Sequence, residues 1–337
     1  MRAVWFTWER QRRNRELAEA LGIPLYEWAD LDARRFRLVK YALGASRTFR
    51  VLRRLRPAVV VCQNPSIVLT LLLLLLRGLG RYRLVVDAHN AGLRPLDGRW
   101  RAVNWLSRVI QRRTDLTLVS NEALRQEVES NGGSAYVLPD RIPTLTPAHN
   151  VVLTGRSNVV FVCSYGHDEP YEGLFEAAAL LEPDVVTYVT GDYSKHEIDP
   201  SELPRNVVLT GYLSDDDYVC LLGAADVVID LTDRDDCLVC GAYEGLALHK
   251  PMVLSDTTVN RHYFDRGCVY ASHNPRSLAA AVSKALAAKE RLGAEQRELE
   301  GIRRREWEQL KVGLLQRLQD LNNTSLANVG GRAPTIV

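Results

Sequence analysis

The chain has 337 residues, 46% of them hydrophobic and 25% charged, with a formal net charge of +2. This length suits two domains of ordinary size, and the composition excludes a disordered chain. The small net charge hides a partition: residues 1–113 hold 23 Lys and Arg against 8 Asp and Glu, and the rest holds 20 against 33. A basic half fits anionic lipid headgroups, a phosphorylated ligand or nucleic acid, unless its arginines are only the solvated faces of helices.

Both halves repeat one rhythm of short apolar run, turn and amphipathic helix, which predicts parallel sheets with crossover helices. In the first half, Ala3–Phe6 is a strand, Arg12–Leu21 a helix closed by Gly22, and Ile23–Trp28 an extended piece. Val39–Leu55 is helical, and Ala58–Cys62 is the continuous β-branched run of a strand buried on both faces. Ile67–Leu76 is an apolar helix, Arg83–Asp87 a strand, Trp100–Arg113 a helix and Leu116–Val119 a strand. Asn121–Asn131 is a helix followed by Gly132-Gly133, and Ala135–Leu138 closes the half. In the second half, strands are expected at Asn158–Cys163, Val185–Val189, Asn206–Thr210, Asp226–Asp230 and Pro251–Leu254. Helices are expected at Glu172–Leu181, Asp215–Leu222, Gly241–Leu248 and Pro275–Ala287, with a charged helix over about 290–321. The Pro/Thr/Gly-rich stretch Pro143–Gly155 marks the boundary between domains 1–150 and 151–302. The expected architecture is α/β: two doubly wound, Rossmann-like domains facing a cleft, with ligands at the carboxyl ends of the strands. Residues 322–337 are Asn-, Ser- and Gly-rich and read as a frayed tail.

Six cysteines, four of them in or beside apolar runs, form no disulfide framework and indicate a reducing, cytoplasmic setting. Cys237-Leu-Val-Cys240 is a C-x-x-C without the second pair or nearby His pair of a zinc site, which leaves a thioredoxin-like redox reading as its alternative. Met1–Arg10 lacks the apolar core of a signal peptide. Ile67–Leu76 is too short to span a bilayer and reads as a buried or an interfacial helix, with Arg77, Arg81 and Arg83 behind it suited to peripheral attachment at the inner face of a membrane.

The segment Asp233–Asp256 carries the clearest chemistry. Asp236 precedes a helix and Glu244 lies inside it, while the small residues Cys240, Gly241 and Ala242 let a ligand approach the backbone. A helix N-terminus presents unpaired N–H groups to a phosphate. A carboxylate before it can accept from sugar hydroxyls, and a second one eight positions on can grip a vicinal diol. An ordinary βαβ unit with surface acids gives the same spacing.

Asp236, Glu244, Ala247, Lys250 and Pro251 resemble the E-x7-E signature of the family 4 (group 1) glycosyltransferases of the GT-B fold, with Asp in place of the first Glu. Asn206-Val-Val-Leu-Thr-Gly211 and Ala225-Asp-Val-Val-Ile229 are similar to the run that precedes it there. The resemblance implies that Glu244 binds the donor ribose, Asp236 the transferred sugar, and the amides of Val239, Cys240 and Gly241 the phosphate, with Tyr212 and Leu213 beside the base. His89, after the Arg83–Asp87 strand, would reach the transferred sugar, unless it is a capping or packing His, and a C-terminal helix at 303–321 with Trp307 would pack back on the first domain. The sequence departs from the family where it has a Gly-Arg…Lys-Gly pair for the diphosphate. Here Ser164–Gly173 has neither Arg nor Lys, so Arg261, His167 or Lys250 would have to replace those cations, with Gly166 on the donor side of the same stretch.

Trp8–Arg15 follows the first strand and would serve the acceptor. Glu9, Arg10, Arg12 and Arg13 suit a phosphate or pyrophosphate, which Arg binds bidentately, or form a solvated helix face. Gln63-Asn64-Pro65-Ser66 and Asn90 lie at neighbouring strand ends. No D-x-D pair marks a metal site, and no Gly-x-Gly-x-x-Gly or P-loop is present. The resemblance implies a metal- and cofactor-independent, retaining hexosyltransferase, with a nucleotide-sugar donor and a lipid-linked or saccharide acceptor of surface polysaccharide or glycoconjugate synthesis. Inversion would need a base, for which Glu9 and Asp87 are available. The alternatives are a sugar-nucleotide 2-epimerase and a silent sugar-nucleotide-binding module partnering another transferase. Nucleic acid is not expected, since the arginines lack interleaved aromatic platforms.

Overall fold

The structure, a computed structural model, describes residues 1–31, 36–64 and 67–330, without the side chains of residues 96–97 and 326–330. Pro65 and Ser66, and the end of the tail at 331–337, lie outside the described residues. The chain divides into two compact units, one of Met1–Arg141 with the chain from Glu306, the other of Ile142–Arg305. The first division falls just before the stretch Pro143–Gly155.

The first unit runs β1 (Ala3–Thr7), α1 (Arg12–Ala20), β2 (Leu25–Glu27), α2 (Arg37–Leu55), β3 (Val59–Asn64), α3 (Ile67–Gly80), β4 (Arg83–Ala88), α4 (Asn90–Leu93), α5 (Arg101–Arg113), β5 (Leu116–Val119), α6 (Glu122–Ser130) and β6 (Ala135–Val137). Its six strands form one parallel sheet in the order β2-β1-β3-β4-β5-β6. Successive side chains of a strand point to opposite faces. Val4, Phe6, Val60 and Cys62 accordingly enter one apolar cluster, and Ala3, Trp5, Val59 and Val61 the other. A sheet buried on both faces needs helices on both, and the sequence meets this demand with near-continuous apolar strands.

The second unit runs β7 (Ser157–Phe161), α7 (Tyr171–Ala178), β8 (Val185–Thr190), β9 (Val207–Gly211), α8 (Asp215–Ala224), β10 (Val227–Asp230), α9 (Cys240–Ala247), β11 (Met252–Ser255), α10 (Thr258–Tyr263), β12 (Cys268–Ala271), α11 (Pro275–Ala287) and α12 (Lys289–Gly330). The parallel order is β12-β11-β10-β7-β8-β9, the dinucleotide-fold order with its switch point between β7 and β10. Helix starts follow their side-chain caps: Ser214 accepts from the Asp217 amide at 3.2 Å, and Asn274, before Pro275, from Ser277 at 2.9 Å. Strand β12 and the short helices α4 and α10 were not foreseen from sequence.

Helix α12 passes from the second unit into the first at Arg305–Glu306. Trp307, Leu314 and Leu318, spaced along one helical face, join the cluster of Trp5 and Val59. The Trp307 indole donates to the Pro139 carbonyl at 3.1 Å, and the Tyr136 hydroxyl donates to Leu310 at 2.7 Å. The tail expected to fray from Asn322 instead continues the helix to Gly330. Asn322 and Ser325 are buried; Asn322 accepts from the Arg2 amide at 3.1 Å and the Ser325 hydroxyl donates to the Arg81 carbonyl at 2.7 Å. Polar side chains paired inside the fold hold this last stretch in place. Among the described residues no helix is long and apolar enough to cross a membrane.

Truncating Trp307 to Ala removes an indole that is 4% exposed together with its hydrogen bond. Urea unfolding followed by circular dichroism should show a loss of about 3–5 kcal/mol.

Candidate active site

In the second unit, a cavity of about 460 Å³ opens at the carboxyl ends of β7, β8 and β10, the place where open α/β sheets bind ligands. Its floor is Asp230, the last residue of β10 and 5% exposed. The carboxylate accepts from the Gly241 amide in the first turn of α9 at 2.6 Å. Glycine is required there: a Cβ on Gly241 would come within 2.6 Å of that carboxylate oxygen and 2.8 Å of Val162. Gly191, at φ +97°, is required for a similar reason, since a Cβ would approach the Cys163 carbonyl to 2.3 Å. Burial pushes the Asp230 carboxyl well above the ordinary carboxylate value, and the charge of Glu169 adds to this, against the opposing effect of the Gly241 amide.

Glu169 sits where the phosphate cations were sought. It accepts from the amides of Ser164 and Gly166, both at 2.8 Å, and from the Ser164 hydroxyl at 2.9 Å. Asp168 beside it accepts from Thr232 at 3.0 Å and pairs with Arg234 at 3.3 Å. Among the described residues the lining contains no Lys or Arg. Glu244, half-buried on α9, accepts from the hydroxyl of Tyr218, which lines the cavity from α8. Burial, then the Glu244 charge, raises the Tyr218 pKa, so the phenol stays protonated and donates.

Of the donor residues expected from sequence, Val239, Cys240, Gly241, Tyr212 and Leu213 line this cavity. Asp236 is half-buried, one residue before the lining Cys237. Gly166 gives its amide to Glu169. Neither Lys250 nor Arg261 is among the residues lining the cavity. The Lys250 ammonium donates to the carbonyls of Gly223 and Ala225, at 2.5 and 2.9 Å, where a cation satisfies the carboxyl end of α8. Arg261 pairs with Asp256 and stacks over Tyr270 at 4.5 Å. His167 is exposed beside Asp168.

In the first unit, Arg13 departs from the phosphate-binding role. Its guanidinium grips Asp87 at 3.0–3.1 Å, donates to the Leu138 carbonyl at 2.9 Å and pairs with Asp140. Burial opposes the charge of Arg13, but the two carboxylates more than reverse this and hold its pKa above the ordinary value. Burial likewise works against the Asp140 charge, and Arg13 brings that carboxyl below its usual range. Asp87, considered as a base for inversion, is thereby committed to a structural ion pair. Arg12 pairs with Glu16 at 2.7 Å, Arg10 is exposed, and Glu9 lies 4.0 Å from Lys40.

His89 is the N-cap of α4, and Asn90 its first residue. Burial, then the charge of Arg13, lowers the His89 pKa, so the imidazole is neutral near pH 7. Gln63 and Asn64, ending β3, are buried. Gln63 accepts from Thr7 at 3.1 Å and Asn14 at 2.6 Å, and Asn64 donates to Gly92 at 2.8 Å. The amide nitrogen of Gln63 and the amide oxygens of Asn14 and Asn64 have no partner among the described residues, a buried demand that water or a ligand group would meet.

Sequence reading missed Asp230, Glu169 and Tyr218. The signal for Asp230 was present: a carboxylate ending the apolar run Val227–Ile229 has little access to water. Tyr218 and Glu244 stand 26 positions apart, and only the α8–β10–α9 crossover brings them together.

Two six-stranded parallel sheets wound on both faces define the GT-B class of fold. Solved structures agree: sucrose-phosphate synthase from Thermosynechococcus elongatus matches with TM-score 0.75 at 12% identity, over 96% of this chain and 99% of that one. Anabaena HepE in complex with UDP-glucose matches at 0.68 and 13%, over 94% and 99%, and a putative UDP-N-acetylglucosamine 2-epimerase from Listeria monocytogenes at 0.57 and 13%, over 88% and 90%. The fold thus spans transferases and epimerases. The sequence is more selective: residues 149–298, nearly the whole second unit, match the family of glycosyl transferases group 1. No curated protein matches the chain by sequence.

Because the folded Asp230 carboxyl titrates above its unfolded value, it contributes most to stability below the ordinary carboxylate range. That contribution is lost as pH rises towards the folded value. Asp230→Asn keeps an acceptor for the Gly241 amide and cannot ionise. Its Tm should exceed that of the wild type near neutral pH by roughly 3–6 °C, a shift corresponding to ~1–2 kcal/mol, with the gap closing towards pH 4. Scanning fluorimetry across pH measures this; a gap independent of pH would show that Asp230 does not titrate in the fold.

Proposed function

We propose that the protein is a glycosyltransferase taking a hexose-type sugar from a nucleoside-diphosphate donor, with retention, to a lipid-linked or saccharide acceptor of surface polysaccharide or glycoconjugate synthesis. The observation that carries this reading is the α9 N-terminus, opening on the cavity at the switch point, with Glu244 held by Tyr218 in the same helix pair. Helix N–H groups favour the charge that develops on a leaving diphosphate. Glu244 is proposed to hold the donor ribose, with Tyr218 fixing its orientation, while Asp236 contacts the transferred sugar. Tyr212, 82% exposed at the cavity, offers a ring for the base. In the first unit, neutral His89 is proposed as a hydrogen-bonding partner of substrate hydroxyls, and Gln63 and Asn64 as part of the acceptor side.

The carboxylates of Glu169 and Asp230 give a second reading its support. With no Lys or Arg lining the cavity among the described residues, a module that binds a nucleotide sugar without turning it over fits the same geometry. Calorimetry of the protein with UDP-, GDP-, ADP- and dTDP-sugars should find saturable binding of one of them, weakened about 10- to 100-fold by Glu244→Ala, the loss for a hydrogen bond to a charged group. Sugar transfer or donor hydrolysis then separates the enzyme from the silent module. A folded protein that binds none of the four would overturn both.

The position of Asp230 gives that binding a pH signature. The carboxyl is on the amide that a donor phosphate would use, and only its neutral form spares the diphosphate from like-charge repulsion. Affinity for the bound nucleotide sugar, whose diphosphate stays ionised throughout, should fall as pH rises through the Asp230 pKa. Asp230→Asn should flatten the profile. An identical slope in both proteins would show that the diphosphate lies away from Asp230.

A further inference from the structure

The opposite end of the first sheet carries a different kind of site. A cavity of about 570 Å³ lies at the amino ends of β1, β3 and β4, between the carboxyl-terminal turns of α2 and α3. Phe49, Leu52, Leu76 and Tyr82 contribute apolar walls, and Arg2, Arg53, Arg56 and Arg81 add guanidinium groups. Two of these arginines occupy the left-handed backbone region, Arg56 at φ +44° and Arg81 at φ +51°. Helix ends usually give that conformation to glycine. Cations suit helix carboxyl termini in any protein, yet that alone does not account for the apolar surface beside them.

Helices α2 and α3 pack side by side, as do α3 and α5. Together the three helices hold eleven Lys and Arg and no Asp or Glu, and the chain has no acidic residue between Asp32 and Asp87. Acids from other elements take up part of this charge: Glu9 faces Lys40, Asp30 pairs with Arg47, and Asp115 with Arg77 and Arg83. No ion pair is recorded for Arg50, Arg53, Arg54, Arg56 or Arg81 among the described residues. Between the arginines the layer exposes large apolar side chains: Leu75 at 79%, Leu79 at 80%, Trp100 at 65% and Trp105 at 64%, with Phe49 and Leu55 less so. Leucines for the acyl boundary, tryptophans for the interface and arginines for anionic headgroups are the composition of a surface that lies in a bilayer face.

We propose that the α2–α3–α5 layer docks on an anionic phospholipid bilayer, with a headgroup phosphate seated between Arg53, Arg56 and Arg81. The docking face uses none of the donor or acceptor residues and stands independently of the enzymatic reading. Its arginine hollow lies at the amino ends of the strands, whereas Gln63, Asn64 and His89 lie at the carboxyl ends of the same sheet.

Flotation of the full chain with vesicles tests this. The protein should float with phosphatidylcholine containing about a third phosphatidylglycerol and stay behind with phosphatidylcholine alone, and added salt should weaken the association. Arg53→Glu with Arg81→Glu should lower partitioning by tenfold or more, on the order of what two reversed surface charges give. Leu75→Ser with Leu79→Ser, which leaves the charge unchanged, should also lower it. Arg297→Glu with Arg317→Glu, exposed on α12, makes the same change in net charge and should leave partitioning near wild type. Equal loss in this control would reduce the effect to bulk charge and overturn the docking face. So would unchanged partitioning in the leucine variant, full displacement by inorganic phosphate, or binding to duplex oligonucleotide in place of vesicles with the same arginine dependence.

Discussion

A parallel sheet buried on both faces can be closed only by helices that cross it, and this constraint organises each unit. Every strand then delivers its carboxyl end to a loop, and most of these loops lead into a helix N-terminus. Where the strand order reverses, the loops part and leave a crevice. In the second unit this happens between β7 and β10. The crevice brings together Asp230, the first turn of α9 and the Ser164–Glu169 loop, which are far apart in the chain. Gly191 and Gly241 are there because the backbones and side chains converge too closely for a Cβ.

The two units treat buried charge by the same rule with opposite results. Arg13 has two carboxylates and a carbonyl around its guanidinium, so the ion pair compensates the loss of water and both signs persist. Asp230 has backbone amide bonds and no cation among the causes of its shift, so burial drives the carboxyl towards its neutral form instead. The number and sign of the partners, rather than the type of residue, decides which group remains charged. This is why a cavity lined by carboxylates is compatible with an anionic ligand: burial shifts one acid, Asp230, towards its neutral form, and another, Glu169, has its oxygens turned on amides and a hydroxyl.

The architecture was legible because strands buried on both faces leave a strong signature. Val59–Val61 and Val227–Ile229 are unbroken apolar runs, and the turn and cap residues around them mark the helix starts. The strand–loop–helix pattern also marked a helix start beside the small residues Cys240 and Gly241, and the resemblance, rather than the pattern, singled out Val239–Gly241, which line the cavity. Side-chain partners were not legible. Arg12, Arg13 and Arg15 looked equivalent in sequence, yet Arg13 is buried against Asp87 and Asp140 while Arg15 is tied to Glu27. Lys250 and Arg261 looked like spare cations until the packing of α8 and β12 gave each a partner. The tail was misread because its polar residues, Asn322 and Ser325, are those that anchor it.

The partition of charge along the chain gains its meaning from the same distinction. Counting arginines in the basic half cannot separate those that hold the fold together from those available to a partner. Arg13, Arg47, Arg77 and Arg83 belong to the first group, each against an acid. Arg53, Arg56 and Arg81 gather around an apolar hollow instead. Two of them keep a backbone conformation costing of order 1 kcal/mol or more in an L-residue, which glycine would adopt freely. Strain of this kind persists only where the surroundings over-determine it, and among the described residues no acid pairs with these three guanidinium groups, leaving them the modest pull of the helix dipole. The same layer leaves Leu75, Leu79 and Trp105 in solvent, at a cost of about 25 cal/mol for each Å² of apolar surface exposed. Strained arginines and uncovered leucines on one helical layer are separate costs, and an anionic, apolar surface laid against that layer would offset both.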